Sequence, residues 1–237
     1  RRIEEKIMTE KNKKINIQIF NWGPCVIRLK ISDDFKKLLL SEAKKNKIDF
    51  KDKLAGILEN ETGYGEESKK IVLPQLSQCL GIYNQAYVKH VNKPFDKQPE
   101  YILASMWINH QKQHEFNPPH DHDGKLSFVT YLSIPEELKK ENSEYKGKSC
   151  GPGGIQFMYG DGPRDCVTIY SIFPEENDMF IFPAWLKHWV APYKSDVTRI
   201  SVSGNVHDSA PLNNIVDFKK HYVGNDTLYQ KKGGNGS

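Results

Sequence analysis

The sequence predicts a mainly β protein with flanking helices: an antiparallel sandwich or barrel in the second half, preceded by a helical and extended support region. Two observations predict it. From about Tyr101 onward, short runs rich in β-branched and aromatic residues are separated by Gly, Pro, Asn and Asp, at the spacing of a sandwich or barrel. Before that point, apolar residues recur at helical spacing in two stretches.

In order along the chain, residues 1–14 read as a flexible charged tail, and Ile15 to Ile31 as an extended segment with a turn at Trp22-Gly23-Pro24. Ser32 resembles an N-cap. Residues 33–46 then place Phe35, Leu38, Leu39 and Ala43 on one helical face, and residues 75–92 do the same with Leu76, Leu80, Tyr83, Ala86, Tyr87 and Val91. Between these helices, Leu54 through Gly65 reads as a connector with turn chemistry at Thr62-Gly63-Tyr64-Gly65. The predicted strands are 101–109, 127–134, 155–159, 167–172, 178–182, 188–192 and 198–206, with a charged insertion over 136–153. The expected organisation is a support region 15–100 integrated with a β core 101–230, and a flexible end 231–237.

Composition narrows the function classes. A hydrophobic share of 38% and a mean hydropathy of -0.65 suit a soluble globular chain, and no apolar run approaches the ~20 residues that span a bilayer. The net charge of +4 comes mostly from residues 1–14, where six basic side chains oppose Glu4, Glu5 and Glu10. The body is therefore near neutral, and neither a nucleic-acid nor a membrane partner is expected. Without an apolar leader the expected location is cytoplasmic. Cys25, Cys79, Cys150 and Cys166 show no paired spacing and read as free thiols.

The chemistry concentrates in two places. In Asn117-Pro-Pro-His-Asp-His-Asp-Gly124, His120 and His122 are two apart, so an extended backbone points both imidazoles the same way. His188, in a turn between two predicted strands, offers a third nitrogen. Two close ligands and one distant one suit a barrel mouth that grips a metal while leaving positions open. Along Arg199-Ile-Ser-Val-Ser-Gly-Asn205, alternation puts Arg199, Ser201, Ser203 and Asn205 on one face and Ile200, Val202 and Val206 on the other. Arg199 would supply a planar, permanently charged fork for a dicarboxylate. A polar surface turn and a solvent-facing strand would show the same patterns.

Four pieces in order resemble the 2-oxoglutarate and iron(II) oxygenase superfamily, nearest its prolyl-hydroxylase-like members and a phage or bacterial branch. They are His120-x-His122 followed by Leu126 to Ser133, then Gly153-Gly-Ile-Gln-Phe157, then Phe180 through His188 to Pro192, and Arg199-x-Ser201. The resemblance implies a double-stranded β-helix, a cupin-like jelly-roll. It implies His120 and His188 as iron(II) ligands, Arg199 and Ser201 as anchors of the distal carboxylate of 2-oxoglutarate, and Tyr131 as a further contact to it. O2 would be the other co-substrate, and the outcome hydroxylation of a peptidyl (prolyl or other) side chain or a small molecule, with succinate and CO2 released. Where the family carries an aspartate or glutamate, this chain has His122. Ligation by His120, His122 and His188 is the preferred reading, with Asp121 or Asp123 as alternatives. A halogenase-like vacant position, a non-catalytic cupin-like metal or carboxylate binder, and a zinc hydrolase are the rival readings. Trp107 and Asn109 are candidates to line the substrate cavity, while His90, His110, His114, His207 and His221 read as ordinary histidines.

Overall fold

The computed structural model describes residues 2–8, 14–20, 23–46, 48–49, 60–91, 94–95, 97–160, 162 and 166–209. The Leu54-Ala55-Gly56 stretch, His221 and the predicted flexible end lie outside them. Strands β1 (Arg2–Met8) and β2 (Lys14–Phe20) pair antiparallel, Ile3 opposite Ile19 and Ile7 opposite Ile15. A paired strand thus occupies the stretch expected to be a flexible tail.

Strand β3 (Ile27–Lys30) leads into helix α1 (Asp33–Lys44). The helix starts where Ser32 accepts a hydrogen bond from the Phe35 amide, with Asp33 and Asp34 in the first turn facing the positive end of the helix dipole. The short strands β4 (Ile48–Asp49) and β5 (Glu61–Gly63) follow, then helix α2 (Glu66–Val91). Helix α2 begins nine residues before the expected start at 75 and carries Pro74 internally. The predicted turn at 62–65 is partly strand, because Glu61–Gly63 pairs with the edge of the main sheet.

The core strands are β6 (Tyr101–Gln111), β7 (Asn117–His120), β8 (Leu126–Ser133), β9 (Ile155–Met158), β10 (Ile169–Ile172), β11 (Asp178–Pro183), β12 (Lys187–Val190) and β13 (Arg199–Asp208). Helix α3 (Glu136–Ser143) forms within the charged insertion and buries Leu138 completely. The strands divide into a seven-stranded sheet, β3-β11-β8-β13-β6-β5-β4, and a four-stranded sheet, β10-β9-β12-β7. Strands β6, β8, β11 and β13 lie in the first and β7, β9, β10 and β12 in the second, so the chain passes back and forth between two facing sheets. This is the double-stranded β-helix.

Alternation sorts the side chains of the larger sheet. On its outer face Leu126, Phe128, Leu132, Met179, Ile181, Val202 and Val206 share one buried cluster with Phe35 and Leu39 of α1 and Val72, Leu76 and Leu80 of α2. On its inner face Val129, Tyr131, Phe180 and Phe182 meet Ile155 and Phe157 of the smaller sheet. Apolar packing fills one end of the space between the sheets. The polar face of β13 occupies the rest, and that is where the site lies.

Candidate metal and anion site

The last residue of β7, His120, lies directly opposite His188 of β12 in the antiparallel register. That pairing joins two positions 68 residues apart and sets their imidazole centroids at 4.3 Å. His122 follows in a loop whose path is fixed by backbone bonds from the His122 amide to Ala184 and from the Lys125 amide to Val206. Gly124 permits the turn: its φ is +114°, and a Cβ there would meet the Val206 carbonyl at 2.9 Å. The His122 ring comes to 4.8 Å from His120 and 5.1 Å from His188, and one nitrogen from each of the three falls within 4.8 Å of the others. Asp121 and Asp123 are exposed and outside this cluster.

The electrostatics suit a cation. His120 Nδ1 lies 2.7 Å from the Pro118 carbonyl and His188 Nδ1 lies 2.9 Å from that of Leu186. A carbonyl only accepts, so both Nδ1 atoms carry the proton and both Nε2 lone pairs are directed elsewhere. Burial, and then the neighbouring His120 and His122 rings, hold the His188 pKa well below its ordinary value. Burial and His120 bring His122 down to about 4, and burial lowers His120 as well. Near neutral pH the cluster is three uncharged imidazoles, the form that binds metal. Imidazole donors fit a divalent first-row ion such as iron(II), and the carbonyls behind His120 and His188 fix their rings as an outer shell does.

The second half of the site is ordered by register. On the inner face, Gln111 pairs with Arg199, Asn109 with Ser201, Trp107 with Ser203 and Ser105 with Asn205, and on the other side of β13 Tyr131 pairs with Ser201. Trp107 is 5.7 Å from the His122 ring. The metal cluster is therefore level with the Trp107 rung, the Asn109–Ser201–Tyr131 rung comes next, and Arg199 lies beyond.

Arg199 is 4% exposed, and no ion pair among the described residues includes it. Its Nη1 donates to the Gly153 carbonyl at 2.6 Å, its guanidinium lies 5.0 Å above the Tyr131 ring, and its Nε has no partner. The Tyr131 hydroxyl is also buried without a partner. Burial pushes its pKa up to about 12 against the opposing pull of Arg199, so it remains a donor. A buried cation costs several kcal/mol unless an anion joins it, so two orphan donors beside one another mark an anion site. Ser201, 3% exposed, borders the same space.

Three contributors were not visible in the sequence. Tyr193 donates its hydroxyl to the Gln111 and Val197 carbonyls and accepts the Arg199 amide, locking the start of β13. Gly153, in the Gly-Pro-Gly-Gly turn, supplies the carbonyl that aims Arg199. Gly153 acts through its carbonyl and Tyr193 through bonds between its hydroxyl and backbone groups, roles that no local sequence pattern records. The third is a cleft of about 440 Å³ on the opposite side of the metal cluster from Arg199, with Trp107, His122, Asn205 and Lys69 in its walls. His207, expected to be an ordinary histidine, also lines it. Trp107 thus borders the cleft, whereas Asn109 does not reach it and faces the anion site.

Residues 105–205 match the family model described as "Putative 2OG-Fe(II) oxygenase". No curated protein matches the sequence. Among solved structures, a 2OG-Fe(II) oxygenase family oxidoreductase from Burkholderia pseudomallei is similar at 11% identity, covering 77% of this chain and 84% of its own, with a TM-score of 0.49. The viral collagen prolyl hydroxylase of Paramecium bursaria Chlorella virus-1 is similar at 14% identity, with coverages of 76% and 94% and a TM-score of 0.48. HygX from Streptomyces hygroscopicus, solved with nickel and 2-oxoglutarate bound, is similar at 12% identity, with coverages of 79% and 83% and a TM-score of 0.48. Over residues 105–205, less than half of its length, this chain is thus similar to the 2-oxoglutarate- and iron(II)-dependent oxygenases.

Proposed function

We propose that the protein is an iron(II)- and 2-oxoglutarate-dependent hydroxylase in which His120, His122 and His188 hold the metal and Arg199, Tyr131 and Ser201 hold the co-substrate. The observation that carries this reading is the buried Arg199 fork, with an orphan donor of its own and another on Tyr131, two register steps from three clustered neutral imidazoles. The bound iron would supply the oxidising chemistry, with O2 consumed and succinate and CO2 released.

The protein's own residues position and exclude. The donors at Arg199 and Tyr131 orient the co-substrate's far carboxylate, the Phe157 and Phe182 rings pack against His188 and keep water from one side, and the cleft receives the primary substrate. A peptidyl side chain, proline or another, is the favoured substrate, with a small molecule as the alternative. The placement of the His122 ring within the cluster supports three-histidine ligation over an aspartate ligand or a halogenase-like vacancy. The paired Arg199 and Tyr131 donors support an oxygenase over a zinc hydrolase, which has no use for them.

The test is turnover. Iron(II)-loaded protein given 2-oxoglutarate and O2 should form succinate, more slowly without primary substrate than with it, and the His188→Ala variant should form none. Binding of metal and 2-oxoglutarate without any succinate would instead identify a non-catalytic cupin-like binder.

A further inference from the structure

We infer that Asn117 is a fourth metal ligand: in the protein free of co-substrate, its side-chain amide oxygen binds the ion that His120, His122 and His188 hold. This rests on the reading of those histidines as the metal site given above, and it adds an oxygen to a ligand set that otherwise offers only nitrogen.

The placement begins in the sequence Asn117-Pro118-Pro119-His120. Residues three apart on a regular strand face opposite sides of it. Strand β7 is not regular there: His120 pairs with His188 and Asn117 with Val190, so Pro118 and Pro119 together oppose the single residue Trp189. That is a β-bulge, and two prolines with no amide proton to give to the ladder suit it. The extra residue turns Asn117 to the side of His120, and its Nδ2 comes to 3.5 Å from His120 Nε2. His120 Nδ1 faces the Pro118 carbonyl, so Nε2 is the atom left to bind an ion.

Metal-free, the Asn117 amide has little to hold it. Its contact to Nε2 is at the limit of a hydrogen bond, and Oδ1 is buried with no partner. An ion on Nε2 occupies the lone pair that the amide N–H faces and repels that N–H. Exchanging the amide nitrogen and oxygen is sterically neutral, and it turns an oxygen lone pair toward the ion. The separation suits shared ligation, because an ion ~2.1 Å from two ligand atoms holds them ~3.0 Å apart at a right angle and ~3.4 Å apart at the tetrahedral angle. With four protein ligands, an octahedral ion keeps two open positions, enough for a bidentate co-substrate. A further position opens only when the amide withdraws.

The experiment is titration of the metal-free protein with cobalt(II) against a competing chelator, without 2-oxoglutarate and with visible d–d absorption recorded. It compares wild type with Asn117→Ala, Asn117→Leu, Asn117→Asp and His188→Ala. Losing an outer partner of a metal ligand costs about 10–100-fold in affinity, so losing a direct neutral ligand should weaken cobalt binding about tenfold or more in Asn117→Ala and Asn117→Leu. In Asn117→Leu, whose bulk leaves no room for a replacing water, the d–d band should also change with the lower coordination number. Asn117→Asp puts a charged oxygen in the same place and should tighten binding about tenfold or more. A side chain that only packs, or whose N–H occupies Nε2, gives the opposite sign: binding in Asn117→Ala and Asn117→Leu unchanged or tighter, with the wild-type spectrum. That result, together with metal loss in His188→Ala, overturns the inference and leaves the parent reading standing. If His188→Ala binds cobalt as wild type does, both fall. Weaker binding in all three Asn117 variants, aspartate included, marks a general disturbance of the site and also overturns the inference. Should Asn117→Ala fail to fold, Asn117→Leu decides.

Discussion

Replacing Arg199 with methionine should weaken 2-oxoglutarate binding roughly 100-fold while leaving the ligand-free fold nearly as stable. Arg199 is 4% exposed and has one donated bond, to Gly153, and an unpartnered Nε. Without ligand, the substitution loses that one bond, worth ~1 kcal/mol, but relieves a buried cation that lacks an anion, so the net change should stay within about 1 kcal/mol. With ligand, it loses two charge-assisted bonds to a carboxylate at ~1.5 kcal/mol each, or roughly 100-fold in Kd. At a ligand concentration of 100 times the wild-type Kd, linkage stabilises the wild type by ~2.7 kcal/mol and the variant by ~0.4 kcal/mol. For a chain of this size that corresponds to Tm shifts of about 5–10 °C and about 1 °C. The assay is thermal unfolding of manganese(II)-loaded protein with and without 2-oxoglutarate. An undiminished ligand shift in Arg199→Met would refute the anchoring role. A fall of more than about 10 °C in the ligand-free Tm would show instead that Arg199 holds the fold together.

Three further outcomes follow from other parts of the structure. His120→Ala and His188→Ala should lose bound divalent metal by elemental analysis, whereas His122→Asp should retain it, because a carboxylate in that position still reaches the cluster; full metal content in His122→Ala with loss in Asp121→Asn would move the third ligand. Gly153→Ala should cost ~1–2 kcal/mol in denaturant unfolding, since Gly153 has φ +70° and a Cβ there would lie 2.9 Å from Leu138, and it should also weaken 2-oxoglutarate binding by displacing the carbonyl that holds Arg199. Asp178 has a fully buried side chain, and although burial raises its pKa, the bonds from Arg28, the Glu175 amide and Lys30 lower it below the ordinary value. A depressed folded-state pKa gives stability that is present above the unfolded value of ~4 and is lost as pH falls through the folded one. Asp178→Asn should therefore cost about 2 kcal/mol at pH 7 and flatten the acid limb of the stability profile; an unchanged acid limb would assign acid unfolding to other carboxylates.

The parts of this molecule legible in its sequence are those governed by short-range period. Two-residue alternation along 199–206 separated Arg199 and Ser201 from Val202, which joins the cluster shared with the helices while Arg199 and Ser201 are buried outside it. The Ser32 cap and the 33–46 pattern located α1 to within two residues at its C-terminal end. The misses share a different cause. Helix α2 runs through Pro74, which is unfavourable locally, because Val72 and Leu76 on either side are fully buried. Strand β5 exists because β6 has an edge to pair with, which no local pattern records. Helix α3 is mostly charged and is held by Leu138 and by Glu141, which accepts from the Lys194 and Ser195 amides far along the chain. At the site, the spacing of His120 and His122 was readable. The outward placement of Asp121 and Asp123 depends instead on the loop bonds to Ala184 and Val206. The aim of Arg199 likewise depends on the carbonyl of Gly153, from a distant segment, and on the nearby Tyr193 hydroxyl that accepts the Arg199 amide.

The most direct test of the account is an oxygen-free titration of the metal-free protein with iron(II) and then 2-oxoglutarate, followed by visible absorption. One iron per chain should bind, and a saturable charge-transfer band should develop only when 2-oxoglutarate is added, absent in His188→Ala and requiring far higher 2-oxoglutarate in Arg199→Met. Stoichiometric iron binding with no such band at any 2-oxoglutarate concentration would contradict it.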